Sequence, residues 1–384
     1  MTNAVTAVAA VRSQTPLRKP SPSDTSSARS VVGACGTGFV VFAVPHRGGI
    51  EGPDPERARV VLRYGCPVVS GTGSFARPRL LHVAPDSVID LVSTSLGGQI
   101  AREDPAPDGF TESVASVITS TSGSQVFVKA GPVGDGYGEA VKVGAELAAV
   151  IGDLGPPLHS ALDADGWSAA IYEAVPGSAI LDWREEDLEQ LNGLSHRLRA
   201  RMDPNPLQNT ESYAGAFAPL LGTWDSLLDS NSPSATTVAH VSDLPLPYGL
   251  SVEMLAELES DWFSALEPGI ALQHGDIRRD NVVREPSGRL WLVDWTHRWL
   301  APGWADWVRL APDVAASGFN PETLLRHSAW MDADHHSVNV MLAGLAGRCW
   351  RDGHRPNVAG LPQLRPMQLL QGDMAMRWLA TRNR

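Results

Sequence analysis

Apolar residues along this chain follow two rhythms, and the two occupy different regions. PDSVIDLVSTSL (85–96) has helical spacing. ASVITS (115–120) and QVFVKA (125–130), separated by a TSGS turn, alternate as the strands of a hairpin. GEAVKVGAELAAVIGDL (138–154) reads as a helix ending near Gly155-Pro156-Pro157, and WSAAIYEAV (167–175) as a strand stopped by Pro176-Gly177. Beyond it the helical period dominates. Leu188, Leu191, Leu194 and Leu198 share one face; so do Tyr213, Phe217, Leu220, Trp224 and Leu228, and then Leu255, Leu258, Trp262 and Leu266. The strand candidates in this half are NVVRE (281–285) and RLWLVD (289–294), joined through Pro-Ser-Gly. The pattern predicts an α+β fold of two lobes, a small sheet-rich lobe at 81–175 and a larger helical lobe at 176–384.

Residues 1–80 do not share this texture. RSQTPLRKPSPSDTSSARS (12–30) is rich in Ser, Pro and Arg and has no periodicity, so an N-terminal extension, partly disordered, is expected. The glycine clusters GACGTG and SGTGS lack the strand–loop–helix setting and the Lys-Ser/Thr of a phosphate-binding loop. The apolar run VVGACGTGFVVFAV is too short to cross a bilayer, and no basic segment precedes the first apolar stretch as in a signal peptide. The three cysteines (Cys35, Cys66, Cys349) form no CxxC pair, which argues against a disulfide framework or zinc site. A reducing, cytoplasmic location is the expectation.

Charge divides along the same boundary. Residues 1–80 carry 10 basic and 4 acidic side chains, and 81–384 carry 21 basic and 39 acidic, a net −18. So acidic a body disfavours nucleic acid and favours cations, although solubility alone accounts for such a balance equally well. Lysine is scarce, with Lys19, Lys129 and Lys142 against 28 arginines. A lysine on a strand in such a chain has a reason, since arginine differs from it in shape and hydration.

The densest chemistry lies in HGDIRRDN (274–281) and the LVDW that follows. A hairpin brings its outer ends together, so Asn281 at the start of the first strand lies near Asp294 at the end of the second, with Asp276 on the preceding loop. Separate turn-capping roles are the plain alternative. Three oxygen-bearing side chains converging are also what a hard cation and a hydroxyl require. Magnesium takes one or two protein oxygens and fills its shell with water and phosphate, and phosphoryl transfer needs one more carboxylate to orient the attacking hydroxyl.

HGDxxxxN followed by a strand and a hydrophobic-hydrophobic-Asp resembles the motif of the aminoglycoside phosphotransferase and choline kinase family, relatives of the protein kinases. The resemblance runs from about 83 to the C-terminus, including GWADWVRL (303–310) and the terminal LRPMQLLQGDMAMRWLATR, and does not cover 1–80. It implies a protein kinase-like fold with the active site between the lobes, and ATP and Mg2+ as cofactors. Asp276 would be the catalytic base, Asn281 a magnesium ligand and Asp294 the principal one. Lys129 would hold the α- and β-phosphates and pair with a glutamate of the next helix. Glu146 at mid-helix suits that better than Glu139, which stands near the start where a carboxylate favours the helix dipole. DGFTES (108–113) stands where the family has its phosphate-covering turn, and backbone groups from Thr111 to Ser113 would reach phosphate, although an ordinary hairpin turn fits nearly as well. YEAVPG (172–177) would be the hinge, with the backbones of Glu173 and Val175 on the adenine. His274 is read as structural, holding the loop, and Asp306 as bracing the loop or capping a helix.

The function expected from these residues is ATP- and Mg2+-dependent phosphorylation of a hydroxyl on a small molecule. The acidic body favours an aminoglycoside or other cationic antibiotic as acceptor. A metabolic kinase for an amino alcohol or sugar, and a catalytically silent kinase-like binding module, are the alternatives. No nucleic-acid or membrane partner is expected.

Overall fold

The computed structural model describes residues 38–39 and 79–383, apart from 107, 110–112, 135, 230, 232–234 and 360. The expected extension at 1–80 therefore lies outside the described residues except for Gly38–Phe39, which pair antiparallel with Asp108–Gly109, and Arg79–Leu80.

The N-terminal lobe is a five-stranded antiparallel sheet. Its strands are β1 (Ile100–Pro105), β2 (Val114–Ser120), β3 (Gln125–Pro132), β4 (Leu158–Ala164) and β5 (Trp167–Glu173), in the order β1-β2-β3-β5-β4. Helix α1 (Asp86–Leu96) covers one face through Val88, Val92 and Leu96, spaced one turn apart, which meet Val114, Ile118, Val126, Val128 and Ala130. Each such buried aliphatic side chain contributes about 1.5–3 kcal/mol, so a charge at Val92 would open this layer. Because side chains alternate along a strand, burying Val126, Val128 and Ala130 against α1 turns Lys129 to the opposite face. Helix α2 (Tyr137–Ile151) packs on β3 and β5 and carries Leu147 and Ile151 into the core of the second lobe.

The C-terminal lobe is mainly helical. It contains α3 (Glu185–Met202), α4 (Val252–Ser260), α5 (Ala305–Ala316), α6 (His335–Gly353) and α7 (Leu364–Arg382), with shorter helical pieces between α3 and α4. The apolar faces read from sequence are buried: Leu191, Leu194 and Leu198 of α3, and Leu255, Trp262 and Leu266 of α4 and the turn after it. The stretch from Tyr213 to Leu228 is not one helix. It breaks into Tyr213–Phe217, a 3-10 turn at Ala218–Leu220, and Thr223–Leu228. Pro219 and Gly222, with φ 80° at the glycine, interrupt it.

The hairpin expected after HGDIRRDN is present. β7 (Val282–Arg284) pairs antiparallel with β8 (Leu290–Leu292), placing Val282 opposite Leu292. The sequence pattern did not reveal β6 (Ala271–Gln273) before the motif or β9 (Trp299–Ala301) after it, which pair with each other. Nor did it reveal β1 and β4, whose residues are half exposed. Among the described residues no helix is long and apolar enough to cross a membrane.

Candidate active site

HGDIRRDN leaves β6 and runs beneath α5. Gly275 has φ 79°, and a Cβ there would lie 2.6 Å from the Trp299 ring, so glycine is required on both counts. His274 donates from Nε2 to the Val293 carbonyl at 2.8 Å, while its Nδ1 accepts the Asp276 amide at 3.3 Å. Both ring nitrogens are thus engaged by the backbone, and the imidazole holds the loop. Asp306 accepts the amides of His274 and Gly275 at 2.6 and 2.9 Å, so it braces the loop as the sequence suggested.

Asp276 is buried. Burial alone would push its carboxyl up, but Arg278 and then Arg309 outweigh that and hold it down at about 2. Both guanidinium groups reach the same oxygen, Oδ1, at 3.1 and 2.5 Å. Its other oxygen, Oδ2, has no hydrogen-bond partner among the described residues. Neither arginine stood out in the sequence, although Arg278 lies inside the motif itself.

Asn281 donates from Nδ2 to the Asp276 carbonyl at 2.8 Å, and its own carbonyl accepts the Val293 amide at 3.0 Å. The hairpin thus brings Asn281 beside the segment that ends at Asp294. Asp294 has φ 66°, in the left-handed region that aspartate enters more readily than most residues and that recurs at functional sites.

Lys129 crosses from β3 and forms an ion pair with Asp294. The expected Lys129–Glu146 pair is not formed. Glu146 pairs instead with Arg298, four residues past Asp294. A cause lies in α2, where a Cβ at Gly144 would stand 2.7 Å from the Trp295 carbonyl. That close approach lays the helix on the segment after Asp294 and puts Glu146 within reach of Arg298. Glu139 is exposed in the first turn of α2.

Three further expected residues lie on or beside the sheet lobe. Ser113 is half-buried immediately before β2, and residues 110–112 of the neighbouring turn lie outside the described set. Glu173 ends β5, exposed, and Val175 is half-buried in the segment that crosses to the second lobe.

Beside the loop lies an open cleft of ≈ 430 Å³, walled by Gln208–Glu211 on one side and Thr296–Trp299 on the other. His297 stacks on Trp299 with ring centroids 3.6 Å apart, and both rings adjoin Gly275. Burial pulls the His297 imidazole down to about 4 against the opposing Asp276 and Asp294 charges, so the ring is neutral near pH 7. Among the described residues no group of three or more His, Cys, Asp or Glu side chains is arranged to hold a metal unaided. Asn281 and Asp294 offer two hard oxygen donors, a set that suits magnesium when phosphate completes the shell.

No family model matches the chain, and no curated protein matches it in sequence. Solved structures do resemble it. An aminoglycoside phosphotransferase from Alicyclobacillus acidocaldarius aligns with a TM-score of 0.54 at 12% identity, covering 78% of this chain and 95% of its own. Spectinomycin phosphotransferase APH(9)-Ia, solved as an AMP-bound complex, aligns at 0.51 and 12%, covering 77% and 97%. Choline kinase LicA from Streptococcus pneumoniae aligns at 0.49 and 15%, covering 77% and 98%. The chain has the two-lobed protein kinase-like fold of the first two.

Proposed function

We propose that this protein is an ATP- and Mg2+-dependent phosphotransferase acting on a hydroxyl of a small molecule. The observation that carries the reading is Asp276, a buried carboxylate held ionised by two arginines, with one oxygen unpartnered among the described residues, Asn281 bonded to its backbone carbonyl, and Lys129 paired with Asp294 at the far end of the hairpin. In this reading the acceptor O–H donates to Asp276 Oδ2. Its oxygen attacks the γ-phosphorus as the bond to the β–γ bridging oxygen breaks, the proton passes to Asp276, and ADP leaves. Bound through Asn281 and Asp294, Mg2+ would neutralise the phosphate charge. Lys129 would leave Asp294 for the α- and β-phosphates as nucleotide enters. Glu146 would exchange Arg298 for Lys129 at that point. The Ser113 backbone would lie on phosphate, and the backbones of Glu173 and Val175 on adenine.

The acceptor would enter through the cleft between Gln208–Glu211 and Thr296–Trp299. The net −18 of residues 81–384 supports a cationic acceptor such as an aminoglycoside, with an amino alcohol or sugar as the alternative. Because Arg278 and Arg309 bring positive charge to Asp276, the ammonium groups of such an acceptor would sit at the Glu211 end of the cleft. We place residues 81–175 and 176–384 as the two lobes of this enzyme, 1–80 as an N-terminal extension whose Gly38–Phe39 pair with Asp108–Gly109 of the first lobe, and the enzyme in the cytoplasm.

The test is a coupled ADP-release screen with Mg2+–ATP against hydroxylated amines, antibiotics and sugars. Acceptor-dependent release is expected, with KM for the acceptor rising with added salt, since exposed charges are screened over about 10 Å at 0.1 M. Nucleotide binding without acceptor-dependent release would instead favour a silent binding module.

A further inference from the structure

The two arginines on Asp276 come from different elements and are held differently. Arg278 belongs to the loop. Its Nε and Nη2 lie 3.0 and 2.8 Å from the two oxygens of Asp280, and its Nη1 lies 3.1 Å from Asp276 Oδ1. With 2% of its side chain exposed, this guanidinium is committed to both carboxylates. Arg309 comes from α5 and places Nη2 2.5 Å from the same Oδ1. A carboxylate gripped on one oxygen from two directions is restrained from rotating about its Cβ–Cγ bond, which sets the direction of Oδ2.

The face of α5 shows what Arg309 adds. Asp306, Arg309 and Asp313 follow at spacings of three and four, so they form one stripe along the helix. Asp306 takes the amides of His274 and Gly275. Asp313 takes the amide and Nε of Arg279, both at 2.8 Å. The loop backbone is therefore held before and after Asp276 by the two carboxylates of the stripe, and the arginine between them reaches the Asp276 side chain. We infer that Arg309 is a positioning residue for phosphoryl transfer: with Arg278 it fixes the Asp276 carboxylate so that Oδ2 faces the acceptor hydroxyl. This rests on the reading of Asp276 given above.

The full-length Arg309→Ala variant tests it. Turnover with the best acceptor should fall about 10²-fold, the loss typical of a reacting group misplaced by an ångström, while KM for Mg2+–ATP stays unchanged. Guanidinium ion added to the assay should restore much of the loss. Arg309→Lys should restore less than the parent shows, because an ammonium lacks the planar fork, and this variant carries the test if the alanine variant does not fold. Unchanged turnover, or a loss in a normally folded variant that guanidinium leaves in place, would overturn the inference. A crystal structure of Arg309→Ala decides the point without any turnover: a rotated Asp276 carboxylate supports it, and one unmoved from its parental position contradicts it. If the parent protein releases no ADP with any acceptor, the phosphotransfer reading fails by itself, and that structure still answers for Arg309.

Discussion

The HGDIRRDN loop and the lysine strand hold their charges in opposite ways. Around Asp276 the ion pairs are buried, with Arg278 at 2% and Asp280 at 4% side-chain exposure, and the loop backbone is tied to α5 at two points. Around Lys129 they are wet: Lys129 and Asp294 are 24% and 16% exposed, Arg298 and Glu146 27% and 48%. A buried, hydrogen-bonded charge resists rearrangement because a lone charge left behind is costly. A half-exposed pair exchanges partners at little cost. The comparison teaches a division of labour within the proposed reaction. Under that proposal the half that would orient the acceptor hydroxyl is preorganised, and the half that would admit nucleotide and metal would have to release Lys129 from Asp294.

Substitutions on each side sharpen that contrast. The largest effect is expected at Asp276→Asn, which keeps the shape of the side chain and removes its charge. Turnover in the ADP-release assay should fall about 10²–10⁴-fold, the usual range for general base catalysis. Asp294→Ala comes next: turnover should drop about 10²–10³-fold, as on removing one electrostatic stabiliser of a transition state, with a steeper magnesium requirement in a titration at constant ATP.

A buried carboxylate elsewhere offers a control with the opposite sign of pH dependence. Glu259, on α4, accepts the Gly222 amide at 3.0 Å, and its Oε1 has no partner among the described residues. Burial pushes its carboxyl up to about 7, well above its ordinary 4.5. The folded state therefore keeps a proton that the unfolded chain gives up, and stability present below about 4.5 is lost as pH rises towards 7. For Asp276 the folded value lies below the ordinary 3.8, so its contribution is lost only as pH falls through that range towards about 2. Glu259→Gln should raise the stability measured by urea unfolding at pH 8 by roughly 1–2 kcal/mol, since each tenfold change in proton affinity is worth about 1.4 kcal/mol. The same substitution should do little at pH 4.

The smallest effect is expected at the wettest pair. Glu146→Gln should change unfolding stability by about 0–1 kcal/mol, as exposed pairs do. A loss of several kcal/mol in the same urea titration would mean that this side of the cleft is as firmly set as the loop.

Local rules made much of this arrangement legible in the sequence. The outer ends of a hairpin must approach, so Asn281 and Asp294 could be placed together from NVVRE and RLWLVD alone. The alternation in QVFVKA likewise marked the strand that carries Lys129. What escaped depended on distant partners. β6 and β9 are three residues each and exist because they pair across roughly two dozen intervening residues, a relation that no local window contains. Glu146 was matched with Lys129 because position favoured it, but an ion pair between elements depends on how two backbones approach, here at Gly144 and Trp295. Arg309 did leave a signal, since Asp306, Arg309 and Asp313 in WADWVRLAPD already form a charged stripe on a helix that must otherwise be buried.

The contrast between the two halves is tested most directly by calorimetric titration of Mg2+–ATP into Asp276→Asn and Asp294→Ala. Asp276→Asn should bind the nucleotide with parental affinity, because its carboxylate serves the acceptor, whereas Asp294→Ala should bind it markedly more weakly. Equal loss in both variants, or in neither, would contradict the account.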